Sequence, residues 1–388
     1  MTVEQASYIE HEPVRFNGSE IEDMLGHAVK LGASDITIQT SESIICSVNG
    51  CLVSITRKLL SNAEVSSLLN YMYGANATTI LMSGKDLDTY YEFRPSRMVR
   101  HRFRLNATAC LVEGYDGIQI TLRSIPTDPP DLDDMDLQDE LRESLVPNDG
   151  VIYVTGSTGS GKSTLMASIV KYIASMEDCN RKIITYESPI EFVYDSVKKS
   201  SCVVSQSEIP RHLPSFSDGV RNALRRTPRL ILVGESRDLE TIDAVLEAAL
   251  TGHPVYTTVH SNGVGETMRR LVSTFPSSER ASKIIDIIET TRLIVWQKLV
   301  PTLDGGRVPL REFLIFDEEV KDLLFQGGVD HVIDVARRLV REKGLEMSQD
   351  AKDKFDKGII SERTYKLVCA GYESVGKSKK TKNKEGKS

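Results

Sequence analysis

A glycine-rich segment directly after a short apolar run places the strongest constraint on how this chain folds. The run Val151–Thr155 is followed by Gly156-Ser157-Thr158-Gly159-Ser160-Gly161-Lys162-Ser163, and a helical pattern continues over Leu165–Ala174. A strand, a glycine-rich loop and a helix in this order are typical of the phosphate-binding loop (P-loop) of α/β proteins. The segment therefore predicts an α/β domain with a parallel sheet and a bound nucleotide.

Each residue type in the P-loop has a chemical role in binding a nucleotide. Glycines allow the backbone to turn its N–H groups onto phosphate oxygens, and the N-terminus of the following helix adds positive potential. Lys162 is expected to reach the β- and γ-phosphates, and the Ser163 hydroxyl to hold Mg²⁺. The expected ligands are therefore ATP and Mg²⁺. The predicted nucleotide-binding residues of this segment are Gly156, Ser157, Thr158, Gly159, Ser160, Gly161, Lys162, Ser163 and Thr164.

Length, composition and charge argue against several other classes of protein. A chain of 388 residues predicts two domains and a tail, and 40% hydrophobic with 27% charged residues is typical of a soluble protein. The net charge of −7 gives no indication of direct nucleic-acid binding. The six cysteines form no CxxC pair, and no apolar run approaches the roughly 18 residues of a membrane span. We expect a soluble, cytoplasmic protein that associates with a membrane only through partners.

The region before the P-loop predicts a small α+β domain. A helix begins near residue 19, and two strands meet at Asn49-Gly50, a dipeptide that suits a tight hairpin turn. Further strands are predicted at Val99–Leu105 and Ile118–Arg123, the second with clear alternation of apolar residues. The segment from Pro126 to Asp139 is rich in Pro and Asp, which predicts a solvated hinge.

The region after Gly150 alternates between strands and helices, which predicts a mostly parallel sheet covered on both faces. A single helix is expected over Arg280–Gln297, and the charged section from Val320 to Gly371 is expected to be helical. The Lys-rich end, Lys377–Ser388, is expected to be disordered. The predicted divisions are a tail 1–18, an N-terminal domain 19–125, a hinge 126–145, an ATPase domain 146–325, a helical extension 326–372 and a tail 373–388.

Hydrolysis requires a carboxylate that orients or deprotonates the attacking water. Glu235 meets this need because it follows the buried run Leu230–Val233, and ligands of open α/β sheets bind at the carboxyl ends of strands. Gly234 stands where many P-loop proteins have Asp, so we expect Ser163, the phosphates and water to hold Mg²⁺. A surface acid at a strand end is the alternative interpretation of Glu235.

Other polar residues also flank predicted strands. Glu187 ends the strand Lys182–Tyr186, with Glu191 one helical turn further on, and these carboxylates suit orientation of water or of hydrated metal. His253 and His260 bracket the strand Pro254–Val259. A single His at such a place is more often structural than catalytic.

Arginines alternate along one predicted strand of the N-terminal domain. Arg100, Arg102 and Arg104 share one face of that strand, and Arg123 ends a neighbouring one. Such a face is usually only solvated. Its arginines are also suited to neutralising phosphate charge, in their own subunit or in the next one.

These motifs together resemble the secretion-type traffic ATPases, the hexameric motors of type II and type IV secretion, type IV pili and conjugation. The resemblance extends from about Ile21 to Leu324. It rests on the P-loop and on five further motifs. These are Gly32-Ala33-Ser34-Asp35, Arg102–Asn106 with Leu122–Pro126, the acidic box Glu187-Ser188-Pro189-Ile190-Glu191, the Walker B segment Leu232–Asp238 and the His box from Thr251-Gly252-His253 to Thr258-Val259-His260.

The resemblance implies a RecA-like P-loop ATPase domain, a smaller α+β (PAS-like) N-terminal domain and a homohexamer with nucleotide bound between the two domains. It implies that Glu235 is the catalytic glutamate and that His253 and His260 sense the γ-phosphate. It also makes Glu187 and Glu191 catalytic candidates. The arginines that it implies as phosphate contacts are Arg102, Arg104 and Arg123.

Differences from the family motifs indicate which branch of the traffic ATPases the chain resembles. Ser188 replaces the usual Asp of the acidic box, so Glu187 and Glu191 carry that box alone. The lack of a tetracysteine zinc module argues against the type II secretion and pilus-extension branch. The chain is most similar to the DotB/TraJ type of ATPase from type IVB secretion and conjugal transfer systems. We expect it to act with inner-membrane and cytoplasmic components of such a machine; pilus retraction and a nucleotide-gated assembly scaffold are the alternatives.

Overall fold

The computed structural model describes residues 8–48, 50–96, 99–125, 128–328 and 331–370. They form two compact units. Unit 1 contains the described residues up to Asp128 together with the short segment Ser188–Val193. Unit 2 contains Pro129–Glu187 and the described residues from Tyr194 onward. The tail predicted at 373–388, part of the predicted tail 1–18 and the hairpin residue Asn49 lie outside the described residues.

Unit 1 is built on an antiparallel sheet with helices. Its sheet has six described strands in the order β3-β2-β1-β6-β5-β4. The helices are α1 (Gly18–Lys30), α2 (Asn62–Tyr73) and α3 (Ala77–Met82). The strands are β1 (Asp35–Gln39), β2 (Ile45–Val48), β3 (Cys51–Ser54), β4 (Leu87–Ser96), β5 (Val99–Val112) and β6 (Tyr115–Ile125). The alternation noticed in the sequence belongs to β6, whose residues Ile118, Ile120 and Leu122 are fully buried.

Unit 2 is built on a sheet of seven described strands in the order β13-β12-β7-β11-β10-β8-β9. The strands are β7 (Gly150–Thr155), β8 (Lys182–Glu187), β9 (Val203–Glu208), β10 (Leu230–Val233), β11 (Pro254–Val259), β12 (Thr291–Pro301) and β13 (Arg307–Ile315). The helices are α4 (Asp139–Glu143), α5 (Lys162–Ser175), α6 (Phe216–Leu224), α7 (Leu239–Leu250), α8 (Val264–Thr274), α9 (Arg280–Thr290), α10 (Glu318–Gln326), α11 (Val332–Lys343) and α12 (Met347–Asp356). A further helix, α13, covers 362–370.

The strand directions in unit 2 agree with the predicted α/β class. Neighbouring strands from β12 to β9 are parallel, and only β13 pairs antiparallel, with β12. Every residue of β7 and of β11 is buried, as expected for central strands that helices cover on both faces. Residues of α5 pack on one face, and residues of α6 to α9 pack on the other.

The structure corrects the helix predicted over Arg280–Gln297. Helix α9 ends at Thr290, and Thr291 begins β12, which pairs with β7 on one side and β13 on the other. Residues Leu293, Ile294 and Val295 are all fully buried, so this run shows no helical or alternating pattern. A short run of that kind fits a buried strand and a buried helix equally well in sequence.

The segment predicted as a solvated hinge packs into unit 2 from Pro129 onward. Its acidic residues lie in and beside a 3₁₀ helix, Leu132–Met135, and at the start of the short helix α4. Leu132, Leu141 and Leu145 from this region are buried in the core beside α5. The burial of these leucines attaches the segment to the ATPase fold. The predicted extension 326–372 likewise packs into unit 2 wherever it is described, through residues of α11 and α12.

Among the described residues, no helix is long and apolar enough to cross a membrane.

A buried carboxylate fixes the start of α2 in unit 1. Glu64 accepts hydrogen bonds from the Ser61 backbone N–H at 3.0 Å and from the Phe16 N–H at 3.1 Å. The Lys58 ammonium lies 2.5 Å from the same carboxylate. Burial alone raises the pKa of Glu64, but these hydrogen bonds outweigh it and lower the pKa from 4.5 to about 2.

We expect Glu64→Gln to destabilise unit 1 by about 2 kcal/mol at pH 7, because the amide cannot replace the charged contacts. The folded pKa lies below the unfolded one, so this contribution is present above pH 4.5 and is lost as the pH falls toward 2. Thermal melts across that pH window measure it. Glu10→Gln, a change at an exposed carboxylate, is the control. Equal melting temperatures for the two variants at pH 7 would contradict the assignment.

Candidate functional site

The P-loop connects the buried strand β7 to α5, as the sequence predicts. Gly156 has φ +147° and Gly161 has φ +83°, both in the region that favours glycine. A Cβ on Gly156 would lie 2.4 Å from the Gln297 carbonyl oxygen, so backbone packing as well as conformation excludes a side chain there. Residues 157–159 and Ser163 are exposed. The loop therefore presents its surface at the carboxyl end of β7.

Lys162, the first residue of α5, folds back over the loop. Its ammonium donates to the Gly156 carbonyl at 3.0 Å and to the Ser157 carbonyl at 2.9 Å, and the residue is 9% exposed. The Ser160 hydroxyl is also buried and has no hydrogen-bond partner among the described residues. A buried cation and an unpartnered hydroxyl in one glycine-rich loop suit an anion such as a phosphate.

The structure brings Glu235 and His260 together. They follow the adjacent parallel strands β10 and β11, and His260 Nε2 lies 3.6 Å from Glu235 Oε1. Their side chains are 39% (His260) and 29% (Glu235) exposed, so both reach solvent. Because β11 also pairs with β7, the pair and the P-loop lie at the same edge of the sheet.

Backbone hydrogen bonds hold the loops at this edge in place. The Gly234 N–H donates to the Tyr186 carbonyl at 2.7 Å, and the Ser236 N–H donates to the Thr258 carbonyl at 2.9 Å. The Thr258 hydroxyl donates to the Gly234 carbonyl at 2.6 Å. A Cβ on Gly234 would lie 3.1 Å from the Tyr186 carbonyl oxygen, a close contact that disfavours a larger residue such as Asp here. These bonds fix the backbone on both sides of Glu235.

Glu187 lies at the same edge, at the end of β8, the next strand beyond β10. Its Oε1 accepts hydrogen bonds from the Thr185 hydroxyl at 2.6 Å and from Gln206 Nε2 at 3.0 Å. Glu187 is half-buried. These two donors orient the carboxylate.

The acidic box is divided between the two units. Glu187 belongs to unit 2, whereas Glu191 belongs to the segment 188–193 of unit 1. There the Arg102 guanidinium donates to the Glu191 carbonyl at 2.7 Å and to the Ile190 carbonyl at 2.8 Å. Arg102 is 2% exposed and also lies 3.4 Å from Glu92. In this structure, Arg102 fastens the acidic segment to β5.

The two other predicted arginines lie side by side on unit 1. Arg104 of β5 and Arg123 of β6 are directly paired across the strands. Arg104 binds Asp88 through two hydrogen bonds, of 3.0 and 2.6 Å, and Arg123 donates to Asp35 at 2.7 Å. Their side chains are 44% and 68% exposed. Both guanidinium groups are therefore accessible from solvent.

His253 lies away from this cluster. It precedes β11, whereas His260 follows it, so the six residues of the strand separate them, a length of about 20 Å. The His253 ring Nδ1 lies 3.3 Å from the Ala248 carbonyl and 3.2 Å from the Thr251 hydroxyl. Within one chain, the structure gathers the P-loop, Glu235, His260 and Glu187 at one edge and places His253 at the opposite one.

Sequence analysis missed a residue that contacts the P-loop directly. Gln297 of β12 is buried and donates from Nε2 to the Ser160 carbonyl at 2.8 Å. It falls within the segment that the sequence pattern assigned to a helix. One feature of the sequence could have indicated its role: Gln297 is an amide within the largely apolar run Leu293–Val300. A polar side chain that is buried in such a run needs a specific hydrogen-bond partner.

No group of three or more His, Cys, Asp or Glu side chains is placed to hold a metal ion in the part of the chain that the structure describes. The exposed Ser163 hydroxyl, one residue after Lys162, is the oxygen ligand that the P-loop itself offers. Mg²⁺ prefers oxygen ligands and commonly retains water and substrate phosphates. The site therefore fits a metal that arrives with a nucleotide.

Comparison with known proteins identifies a family of ATPases that the P-loop geometry fits. The family model described as "Type II/IV secretion system protein" matches residues 17–360. The type IV pilus retraction ATPase PilT of Pseudomonas aeruginosa is 33% identical over 313 residues, which cover 80% of this chain and 86% of PilT.

Two solved structures are similar over nearly the whole chain. The ATPase DotB of Legionella pneumophila is 61% identical with a TM-score of 0.90, covering 94% of this chain and 99% of DotB. The pilus retraction motor PilT with bound ADP is 30% identical with a TM-score of 0.76, covering 90% and 96% of the two chains. The chain therefore belongs to the type II/IV secretion system protein family and is an ATP hydrolase of that family.

Proposed function

We propose that this protein is a hexameric ATPase motor that powers a type IV secretion or conjugal transfer apparatus. The observation that carries the proposal is the arrangement of Lys162, Glu235 and His260 at one edge of a parallel sheet. Lys162 is suited to the β- and γ-phosphates of ATP, with Mg²⁺ held by Ser163, the phosphates and water. The 61% identity to DotB over 94% of this chain supports the secretion branch.

The sheets of the two units support the proposed assignment of the domains. In unit 2 the P-loop strand β7 lies between parallel neighbours, and this supports a RecA-like ATPase domain. In unit 1 the antiparallel sheet with its helices supports a PAS-like domain. We propose that the protein is cytoplasmic and that components of the machine recruit it to the inner membrane.

In the proposed reaction, Glu235 accepts the proton of the attacking water or orients that water toward the γ-phosphate. His260, 3.6 Å from Glu235, is placed to contact the phosphate and the glutamate together. Glu187 orients water or the hydration shell of the metal through a carboxylate that Thr185 and Gln206 hold in position. The roles of Glu191 and His253 rest on the family resemblance alone.

We expect Glu235→Gln to lower the rate of ATP hydrolysis by roughly 100-fold or more, because an amide cannot take the proton. ADP affinity should stay close to that of the wild type, whereas Lys162→Ala should lose affinity. Phosphate release and binding of a fluorescent ADP analogue measure the two effects. The control is Glu240→Gln, the same change at an exposed glutamate of α7. A wild type no faster than Glu235→Gln would favour the alternative function, a nucleotide-gated scaffold with little turnover.

The accessible pair Arg104 and Arg123 is proposed to supply positive charge to the nucleotide of a neighbouring subunit. Light scattering with nucleotide should then give a mass near six times the 43.2 kDa chain. Arg104→Gln should lower the hydrolysis rate by up to about 10³-fold, and Arg94→Gln, at another exposed arginine of unit 1, should not. Mixing Arg104→Gln with Glu235→Gln chains should restore part of the activity. A monomer under all nucleotide conditions, or no restoration, contradicts the proposal.

Pilus retraction is the second candidate, because PilT is similar over 80% of this chain. Affinity purification from inner-membrane extracts distinguishes the two. With the slow Glu235→Gln chain as bait, we expect components of a secretion apparatus to be recovered in an ATP-dependent way. The Lys162→Ala chain is the matched control. Recovery of pilus-machine components in their place would assign the protein to retraction.

A further inference from the structure

The carbonyl of Ser160, in the middle of the P-loop, is held by a side chain from another strand. Gln297 of β12 donates to it from Nε2 at 2.8 Å, and the residue is 3% exposed. The same nitrogen would lie 2.9 Å from a Cβ on Gly161, so the amide packs directly against the loop. Gln297 is thus a buried side chain whose donor contacts the phosphate-binding backbone.

This contact determines the direction of a backbone N–H group. The Ser160 carbonyl and the Gly161 N–H belong to one planar trans peptide, in which the two groups point in opposite directions. Holding the carbonyl toward β12 therefore holds the N–H away from it. A P-loop binds phosphate through the direction of such N–H groups.

The other end of the Gln297 amide is fixed by a buried arginine. Gln297 Oε1 accepts from Arg311 Nε at 3.0 Å, and Arg311 is 0% exposed. The remaining nitrogens of the guanidinium donate to the carbonyls of Asp136 and Met135, each at 2.7 Å. Burial lowers the pKa of Arg311 to about 10, so the group stays charged at neutral pH. The P-loop is linked in this way to the segment that precedes α4.

Helix α12 completes the network. Asp350 accepts from the Arg311 backbone N–H at 2.7 Å and from Gln138 Nε2 at 3.0 Å. Lys354, 2% exposed, pairs with the Asp136 side chain and lies 3.7 Å from Asp350. Most buried polar groups in proteins have hydrogen-bond partners, and here the partners of Arg311 come from α12, from residues 135 and 136 and from β12.

We propose that Gln297 and Arg311 are positioning residues for the nucleotide site, through which residues 135–138 and α12 determine the conformation of the P-loop. The inference rests on the proposed nucleotide binding at that loop. Neither residue needs to touch the nucleotide. Gln297 acts on the Ser160–Gly161 peptide, and Arg311 acts on Gln297 by fixing the orientation of its amide.

The test uses the full chain with Gln297→Met, which keeps a similar volume and removes both hydrogen bonds of the amide. We expect the Kd of a fluorescent ADP analogue and the KM for ATP to rise about tenfold or more. We expect kcat to change less than KM. Gln326→Met, at an exposed position of α10, is the matched control. A lower melting temperature with unchanged Kd and KM would overturn the proposal, since that is the result of a purely structural role.

A second variant covers the case in which Gln297→Met does not fold. Gln297→Glu keeps the size and the contact with Arg311 but loses the donor to the Ser160 carbonyl. It should weaken ADP binding to a similar degree, and wild-type affinity in a folded Gln297→Glu chain would also overturn the proposal. A wild type that binds no ADP is a separate result, because it contradicts the nucleotide site itself.

The role of Arg311 is tested by combining changes. Arg311→Lys keeps the charge and loses the planar set of donors, so it should raise the Kd severalfold. If Arg311 acts through Gln297, the double variant with Gln297→Met should bind ADP no more weakly than Gln297→Met alone. Fully additive losses would show that the two residues act independently and would remove Arg311 from the proposal.

Discussion

The parallel pairing of β7 with β11 and β12 is the interaction on which the site in unit 2 depends. All six residues of β7 are buried, and at the carboxyl end of this strand the chain turns into the P-loop. Because β11 and β10 run in the same direction, the residues that follow them, His260 and Glu235, come to the same edge. Reversal of β7 or of β10 would place the P-loop and Glu235 at opposite edges of the sheet.

Backbone hydrogen bonds connect the loops at this edge to the neighbouring strands. Gly234 donates to β8, Ser236 donates to β11, and Gly156 donates to Val259 at 3.3 Å. Such hydrogen bonds fix the backbone on both sides of Glu235 and at the start of the P-loop before a ligand binds, and a site fixed in advance needs less reorganisation. The Gln297 contact with Ser160 extends the same arrangement to the opposite side of the P-loop.

Two arginines that alternate on the same strand have different environments in the structure. Arg102 and Arg104 alternate on one strand, and the sequence treats them alike. In the structure Arg102 is buried and its guanidinium donates to the carbonyls of Ile190 and Glu191, whereas Arg104 is exposed and paired with Asp88. The difference arises because the short segment 188–193 covers one arginine and leaves the other accessible.

The sequence by itself determined the α/β class, the P-loop with Lys162 and the placement of Glu235 and His260 after buried strands. These features are local, since each depends on a short apolar run and the residue that ends it. The tertiary structure decided what non-local contacts control. It made Leu293–Val295 part of a strand by pairing it with β7. It also buried Leu132 and Leu141, from the segment predicted as a hinge, against α5. It also joined Gln297 to Arg311 on the neighbouring strand, and Arg311 to Asp350, which lies 39 residues further along the chain, because a buried side chain finds its partners among the residues that the fold brings beside it.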